Sequence, residues 1–86
     1  MRHARSEALD SLEDLLQALR SHEALTERKR GAFYRKSTAF LHFHEDPAGL
    51  FADLKLGDAF QRFEVTAIPQ RRQLLDLIDA ALSANP

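Results

Sequence analysis

Residues 39–66 read AFLHFHEDPAGLFADLKLGDAFQRFEVT. This stretch is the strongest indication of the fold, because two turn signals separate its alternating runs. Asp46-Pro47-Ala48-Gly49 has the residue order that a type I turn prefers, and Gly57-Asp58 suits a two-residue hairpin turn. We therefore predict a three-stranded antiparallel meander. Its strands are expected over residues 38–45, 50–56 and 60–66.

Burial selects the register of both predicted hairpins. With a four-residue loop at the first turn, Phe43 faces Ala52, and the apolar side chains share one face of the sheet. A loop one residue shorter would place charged side chains in the core. At the second turn the same argument pairs Leu56 with Ala59.

The opposite face of the predicted sheet collects polar and aromatic side chains. Its middle row reads His42, Asp53 and Arg62, since these positions lie opposite one another on neighbouring strands. A carboxylate beside an imidazole favours the charged ring, so we expect Asp53 to raise the pKa of His42. The flanking rows are predicted to contain His44, Phe51 and Glu64 on one side and Phe40, Lys55 and Phe60 on the other.

A helix on each side completes the predicted domain. Leucines recur at helical spacing in residues 6–27, with Ser6 placed to cap the helix and Gly31 placed to end the region. Ser21 can cap a second short turn that begins at His22, so the helix either continues or breaks near Arg20-Ser21. Residues 32–36 are expected either to add an edge strand or to lead into the first long strand, which gives a sheet of three or four strands. Pro69 suits the first turn of a closing helix. The side chains predicted to face the core are Leu9, Leu12, Leu15, Leu16 and Leu19 in the first helix and Leu74, Leu75, Ile78 and Leu82 in the second.

The length of 86 residues leaves room for one domain with a modest core. We predict a single α+β domain over 1–86, with residues 1–5 and 83–86 frayed and the closing helix packed on one sheet face. The chain has no cysteine, which excludes disulfides and thiolate chemistry. It also lacks an apolar run long enough to span a bilayer and the apolar segment of a secretion signal, so we expect a cytoplasmic protein without membrane contacts.

Local charge provides the first functional candidate. The net charge is only −1, yet residues 28–36 carry five basic side chains and no acidic one. Basic residues interleaved with aromatic rings are typical of phosphate contacts combined with base stacking. We therefore expect a small, non-enzymatic binding protein with nucleic acid as its first candidate partner. The residues predicted to contact it are Arg28, Lys29, Arg30, Tyr34, Arg35 and Lys36, with Arg71 and Arg72 as an extension.

The polar and aromatic sheet face provides the alternative, a protein interface. If both helices cover the leucine-lined face, then Phe40, Phe51 and Phe60 are exposed on the other. A symmetric homodimer formed through that face would bury the three rings. We therefore expect either a homodimer or a protein-interaction module as the second candidate function.

The histidines on this face permit a third interpretation, a metal site. His42 and His44, with Asp53 and Glu64 on neighbouring strands, form a ligand set that zinc or iron accepts. No recognisable spacing motif accompanies them, so the sequence alone predicts neither a metal nor a cofactor. It also predicts no catalytic residue, because the chain lacks a nucleophile-elbow sequence and a phosphate-cradling glycine loop.

Residues 31–56 read GAFYRKSTAFLHFHEDPAGLFADLKL, and RFEVT and the helix PQRRQLLDLI come later in the chain. Together these parts of the chain resemble the MmcQ/YjbR-like family of small bacterial proteins. The resemblance covers about residues 9–82 and implies a double wing fold and DNA binding, with no catalytic residue to transfer. The chain is shorter than that family and has no fixed counterpart there for His42-Phe43-His44. The positions that match the family outline are Gly31, Phe33, Tyr34, Lys36 and Phe40.

Overall fold

The alternating stretch forms the centre of an antiparallel sheet in the computed structural model, which describes residues 1–83. Of the tail predicted to fray, Ser83 is described and is helical, whereas residues 84–86 lie outside the described residues. In chain order the elements are β1 (Arg2–His3), α1 (Ser6–Ser11), α2 (Glu13–Arg20), β2 (Leu25–Lys29), β3 (Ala32–Arg35), β4 (Thr38–Asp46), β5 (Gly49–Leu56), β6 (Ala59–Glu64) and α3 (Ile68–Ser83).

The predicted meander is confirmed, together with its register. Phe43 pairs with Ala52 across β4 and β5, and Leu56 pairs with Ala59 across β5 and β6. At the first turn the Ala48 N–H donates to the Asp46 carboxylate at 2.8 Å, a local bond that stabilises the reversal. Turn chemistry and burial therefore select the same pairing.

The sheet is larger than predicted, and the α+β class holds. Its strand order is β2-β3-β4-β5-β6, with β1 also paired to β4. The helical region predicted over 6–27 ends at Arg20, where the sequence allows a break. The helical turn predicted after it is wrong, because Leu25 lies off the leucine stripe and returns to the core as the first residue of β2. Gly31 closes the β2–β3 turn at φ 81° rather than ending a helix.

The leucine stripe of the first helical region is buried as predicted. The region is interrupted at Leu12, between α1 and α2, a break that the leucine spacing does not predict. Arg5, not Ser6, occupies the cap position of α1. Both helical regions pack their apolar side chains against the same side of the sheet. The buried cluster includes Leu9, Leu12, Leu15, Leu16, Leu19, Leu41, Leu54, Val65, Leu74, Ile78 and Leu82.

The N-terminal segment differs from the expectation that residues 1–5 fray. β1 pairs with β4 so that His3 lies opposite His44. The Arg5 N–H donates to the Glu45 carboxylate at 2.7 Å, which holds the end of this short strand. Within residues 1–83, no helix combines the length and the apolar character needed to cross a membrane.

Candidate metal centre

Three imidazoles meet on the sheet face that the helices leave uncovered. His42 and His44 lie two residues apart on β4, and the alternation of a strand directs both to the same face. β1 adds His3, whose ring centroid lies 4.6 Å from that of His44. One ring nitrogen from each of the three residues lies within 4.8 Å of the other two.

The ring nitrogens converge with a carboxylate oxygen as well as with one another. His42 Nδ1 lies 3.0 Å from His44 Nε2. Asp53 Oδ2 lies 3.2 Å from His44 Nε2 and 4.0 Å from His42 Nδ1. A neutral imidazole has one N–H and one lone pair, so this convergence suits either hydrogen bonds donated by a ring N–H or a metal ion bound between the lone pairs.

Asp53 is fixed in place by Arg62 on the neighbouring strand. The guanidinium donates twice to the carboxylate, at 2.7 and 2.8 Å, in the bidentate geometry that arginine favours. Arg62 also holds the pKa of Asp53 below its usual range. The row predicted from parity, His42, Asp53 and Arg62, is therefore present across three strands.

Burial lowers the pKa of both His42 and His44, although the Asp53 carboxylate opposes the shift. The predicted rise in the pKa of His42 is thus wrong in direction. Desolvation of the half-buried ring prevails because Arg62 already offsets the charge of Asp53. The lowered pKa favours the uncharged ring at both positions, which is the form that binds metal ions.

The basic residues predicted to bind nucleic acid are divided among different surroundings. Arg30 forms ion pairs with Asp10 and Glu13 at 2.9 and 3.0 Å, on the helix side of the molecule. Arg28 lies over the ring of Tyr34, 4.5 Å from its centroid. These charges therefore interact within the protein rather than along one shared surface.

The remaining basic residues lie at opposite ends of β3. Lys29 is next to the β2–β3 turn, whereas Arg35 and Lys36 lead into β4. The side chain of Arg71 is turned inward and donates to the Val65 carbonyl at 2.8 Å. The structure therefore brings no more than part of the predicted basic set together.

Phe40 is buried, with 5% of its surface exposed, although parity predicts it on the open face. A bulge in β4 explains the difference. Phe33 pairs with Leu41 while the next residue, Tyr34, pairs with Ala39, so that Phe40 is left as the extra residue. A bulge redirects side chains at its position, and Phe40 joins the core.

The other two predicted interface rings stay on the open face. Phe60 is 43% exposed on β6, and its centroid lies 4.9 Å from that of His42. Phe51 is half-buried beside His44 and opposite Glu64, as the predicted row requires. The patch therefore consists of two rings at the border of the histidine cluster rather than three.

His3 is the site residue that sequence reasoning misses. Its strand has only two residues, too few for an alternation to be read, and its partner lies about forty positions away in the chain. The His42-Phe43-His44 pattern is visible in the sequence, but nothing adjacent to it points to the N-terminal segment.

The comparisons with known proteins do not add a relative. No family model, no curated protein and no solved structure matches this chain. The resemblance to the MmcQ/YjbR-like family therefore stays a prediction.

Proposed function

We propose that this protein binds a divalent transition metal ion through His3, His42 and His44. The observation that carries the proposal is the convergence of one nitrogen from each ring within 4.8 Å. Two of these rings come from one strand, and the third comes from a strand that pairs with it. The site thus rests largely on backbone hydrogen bonding rather than on a flexible loop.

The spacing of the nitrogens suits a metal of the zinc class. Zinc–nitrogen bonds are about 2.0–2.1 Å long, which puts tetrahedral ligand atoms roughly 3.4 Å apart. His42 Nδ1 and His44 Nε2, at 3.0 Å, are close to that separation, and the His3 nitrogen lies within 4.8 Å of both. Imidazole ligands favour Zn²⁺, Co²⁺, Ni²⁺ and Cu²⁺.

Asp53 supplies the charge that a divalent ion needs nearby. Its carboxylate lies 3.2 Å from His44 Nε2, and Arg62 holds it in a single orientation. Asp53 faces the same ring nitrogen that we propose as the ligand, so its carboxylate adds negative charge beside the bound ion. This chemistry favours metal binding over the interpretation of the same face as a solvated polar surface.

The experiment is a calorimetric titration of chelator-treated protein with Zn²⁺. We expect one ion per chain and a loss of affinity of more than about tenfold in His44→Ala and in His3→Ala. His22→Ala is the matched control, because His22 faces Asp79 at 3.3 Å, outside the cluster. Wild-type protein that binds no Zn²⁺ at micromolar concentration would contradict the proposal, as would an equal loss in the control.

The two functions that the sequence ranks first stay predictions, as does a cytoplasmic location. For nucleic acid, the predicted basic contacts that form no ion pair within residues 1–83 are Arg28, Lys29, Arg35, Lys36 and Arg72; of the others, Arg30 and Arg71 are paired with acidic side chains. For a homodimer or another protein partner, exposed Phe60 on the outer strand β6 is the residue that favours an interface. Neither feature joins as many convergent groups as the histidine cluster does.

A further inference from the structure

We propose that a small anion, a carboxylate or a phosphate, binds in the cleft beside His3 and His42 and completes the coordination of the metal ion. This inference rests on the proposed metal-binding function. It assigns the ligand class that the open side of the metal centre would take.

The cleft lies where two strands approach the same edge of β4 one after the other. β3 pairs with β4 as far as Leu41, and β1 begins its pairing at His44. The space left between them has a volume of about 270 Å³. Its lining includes His3 and His42, so an occupant of the cleft would lie next to two of the proposed metal ligands.

The coordination chemistry leaves a position for this occupant. Three histidines around a tetrahedral ion leave a fourth site, which an exogenous oxygen ligand fills in many zinc proteins. Asp53 is the nearest carboxylate of the chain, but both of its oxygens accept hydrogen bonds from Arg62. Asp53 reaches the cluster from β5, whereas the cleft lies at the opposite edge of β4, so an external anion would approach the metal from the side away from this carboxylate.

The charge of the lining favours an anion. No aspartate or glutamate lines the cleft, whereas Lys29 and Arg30 do. Arg30 is paired with Asp10 and Glu13, so the charge available to a ligand is that of Lys29, which forms no ion pair within the described part of the chain. A divalent ion on one side and an ammonium group on the other select a negatively charged ligand.

The size of the cleft limits the ligand to a small molecule. A water molecule occupies about 30 Å³ in the liquid, so the volume of about 270 Å³ corresponds to roughly nine waters. Leu9, Phe33 and Phe43 give the cleft an apolar lining. An acetate, a short-chain carboxylate or a phosphate monoester fits this space, with any aliphatic part against the apolar side chains.

The test uses protein loaded with Co²⁺, whose visible absorption bands report directly on the coordination of the metal. Acetate and methylphosphonate are titrated separately, which distinguishes a carboxylate from a phosphate source. We expect saturable changes in the bands with at least one of them. In Lys29→Gln we expect the anion to bind roughly fivefold more weakly, with Co²⁺ affinity changed by less than about twofold.

Lys36→Gln is the matched control, because Lys36 lies at the other end of β3 and does not line the cleft. Bands that do not respond to either anion, or an equal anion affinity in wild type and Lys29→Gln, would overturn the inference and leave metal binding intact. Failure of Co²⁺ to bind at all would instead remove the proposed function and this inference with it.

Discussion

The meander of β4, β5 and β6 and the segment of residues 1–37 that precedes it are held together in different ways. In the meander each strand pairs with its neighbour in the chain through a short turn. In the preceding segment β1 pairs with β4, about forty residues ahead. The meander is specified by local sequence, and β2 and β3 also pair through a short turn. The attachment of β1 is different, because it depends on a contact that forms only when the chain folds back.

The histidine cluster combines residues from both regions, so the candidate site lies where the two regions meet. The meander places His42, His44 and Asp53 through its register alone. The preceding segment supplies His3 and the cleft wall that contains Lys29. Each region therefore contributes residues that substitution can test separately.

Substitution of Phe40 should have the largest effect, because Phe40 lies where β3, in residues 1–37, pairs with β4 of the meander. Phe40→Ala should lower the free energy of unfolding by about 3–5 kcal/mol, since a buried aromatic side chain is lost. Phe60→Ala, on the open face, should change it by no more than about 0.5 kcal/mol. Urea denaturation followed by circular dichroism measures both.

A milder substitution keeps this comparison measurable. A loss of several kcal/mol can unfold a domain of this size, so Phe40→Leu should show the same ranking with a smaller decrease. Equal costs at Phe40 and Phe60 would mean that the bulge does not direct Phe40 into the core. A large cost at Phe60, together with a shift to a smaller species in sedimentation, would favour the dimer instead.

The bulge shows which parts of the fold are predictable from sequence. The turns at Asp46 and Gly57 and the alternation around them are local signals, so the meander and its register follow from the sequence. The side chain of Phe40 points inward because of the way β4 pairs with β3. That pairing is a property of the partner strand, and the alternation of β4 cannot reveal it.

The candidate site divides along the same line. Strand parity is enough to place His42 beside Asp53 and Arg62. The direction of the pKa shift at His42 depends on how far the ring is buried, and the contribution of His3 depends on a strand of two residues. Burial and long-range pairing are outcomes of the complete fold, so neither is visible in a local pattern.

Substitution of Gly31, in residues 1–37, should have the next largest effect on the free energy of unfolding. Gly31 has φ 81°, and a Cβ added there would lie 2.7 Å from Leu9 Cδ2. Gly31→Ala should therefore cost about 1–2 kcal/mol, mostly from the left-handed backbone conformation, because the end of the leucine side chain can move aside. Thermal denaturation of the variant measures this cost.

Gly57→Ala provides the control within the meander. Gly57 also has a positive φ, 71°, but no atom lies within 4 Å of the added Cβ. The backbone cost should be similar at the two positions, and any excess at Gly31 reports the contact between the β2–β3 turn and α1. A smaller cost at Gly31 than at Gly57 would show that this turn is only loosely attached to the helix.

The smallest expected effect is electrostatic and involves charged side chains that all belong to residues 1–37. Glu13 accepts hydrogen bonds from Arg20 and Arg30 at 2.7 and 3.0 Å and thereby links α2 to the β2–β3 hairpin. These partners lower the pKa of Glu13 to about 2. A carboxyl group whose pKa is lower in the folded state stabilises that state at high pH, and the contribution is lost as the group becomes protonated.

The pH dependence of Glu13→Gln follows from this sign. Wild-type protein should melt a few degrees above the variant at neutral pH, a small difference because the side chains are exposed to solvent. The difference should shrink as the pH falls from about 4.5 towards about 2, the interval between the ordinary and the lowered pKa. Glu23→Gln removes the same charge from a side chain without an ion pair in residues 1–83, and it should change the melting temperature less. A difference that persists at pH 2 would indicate that Glu13 acts through packing rather than through its charge.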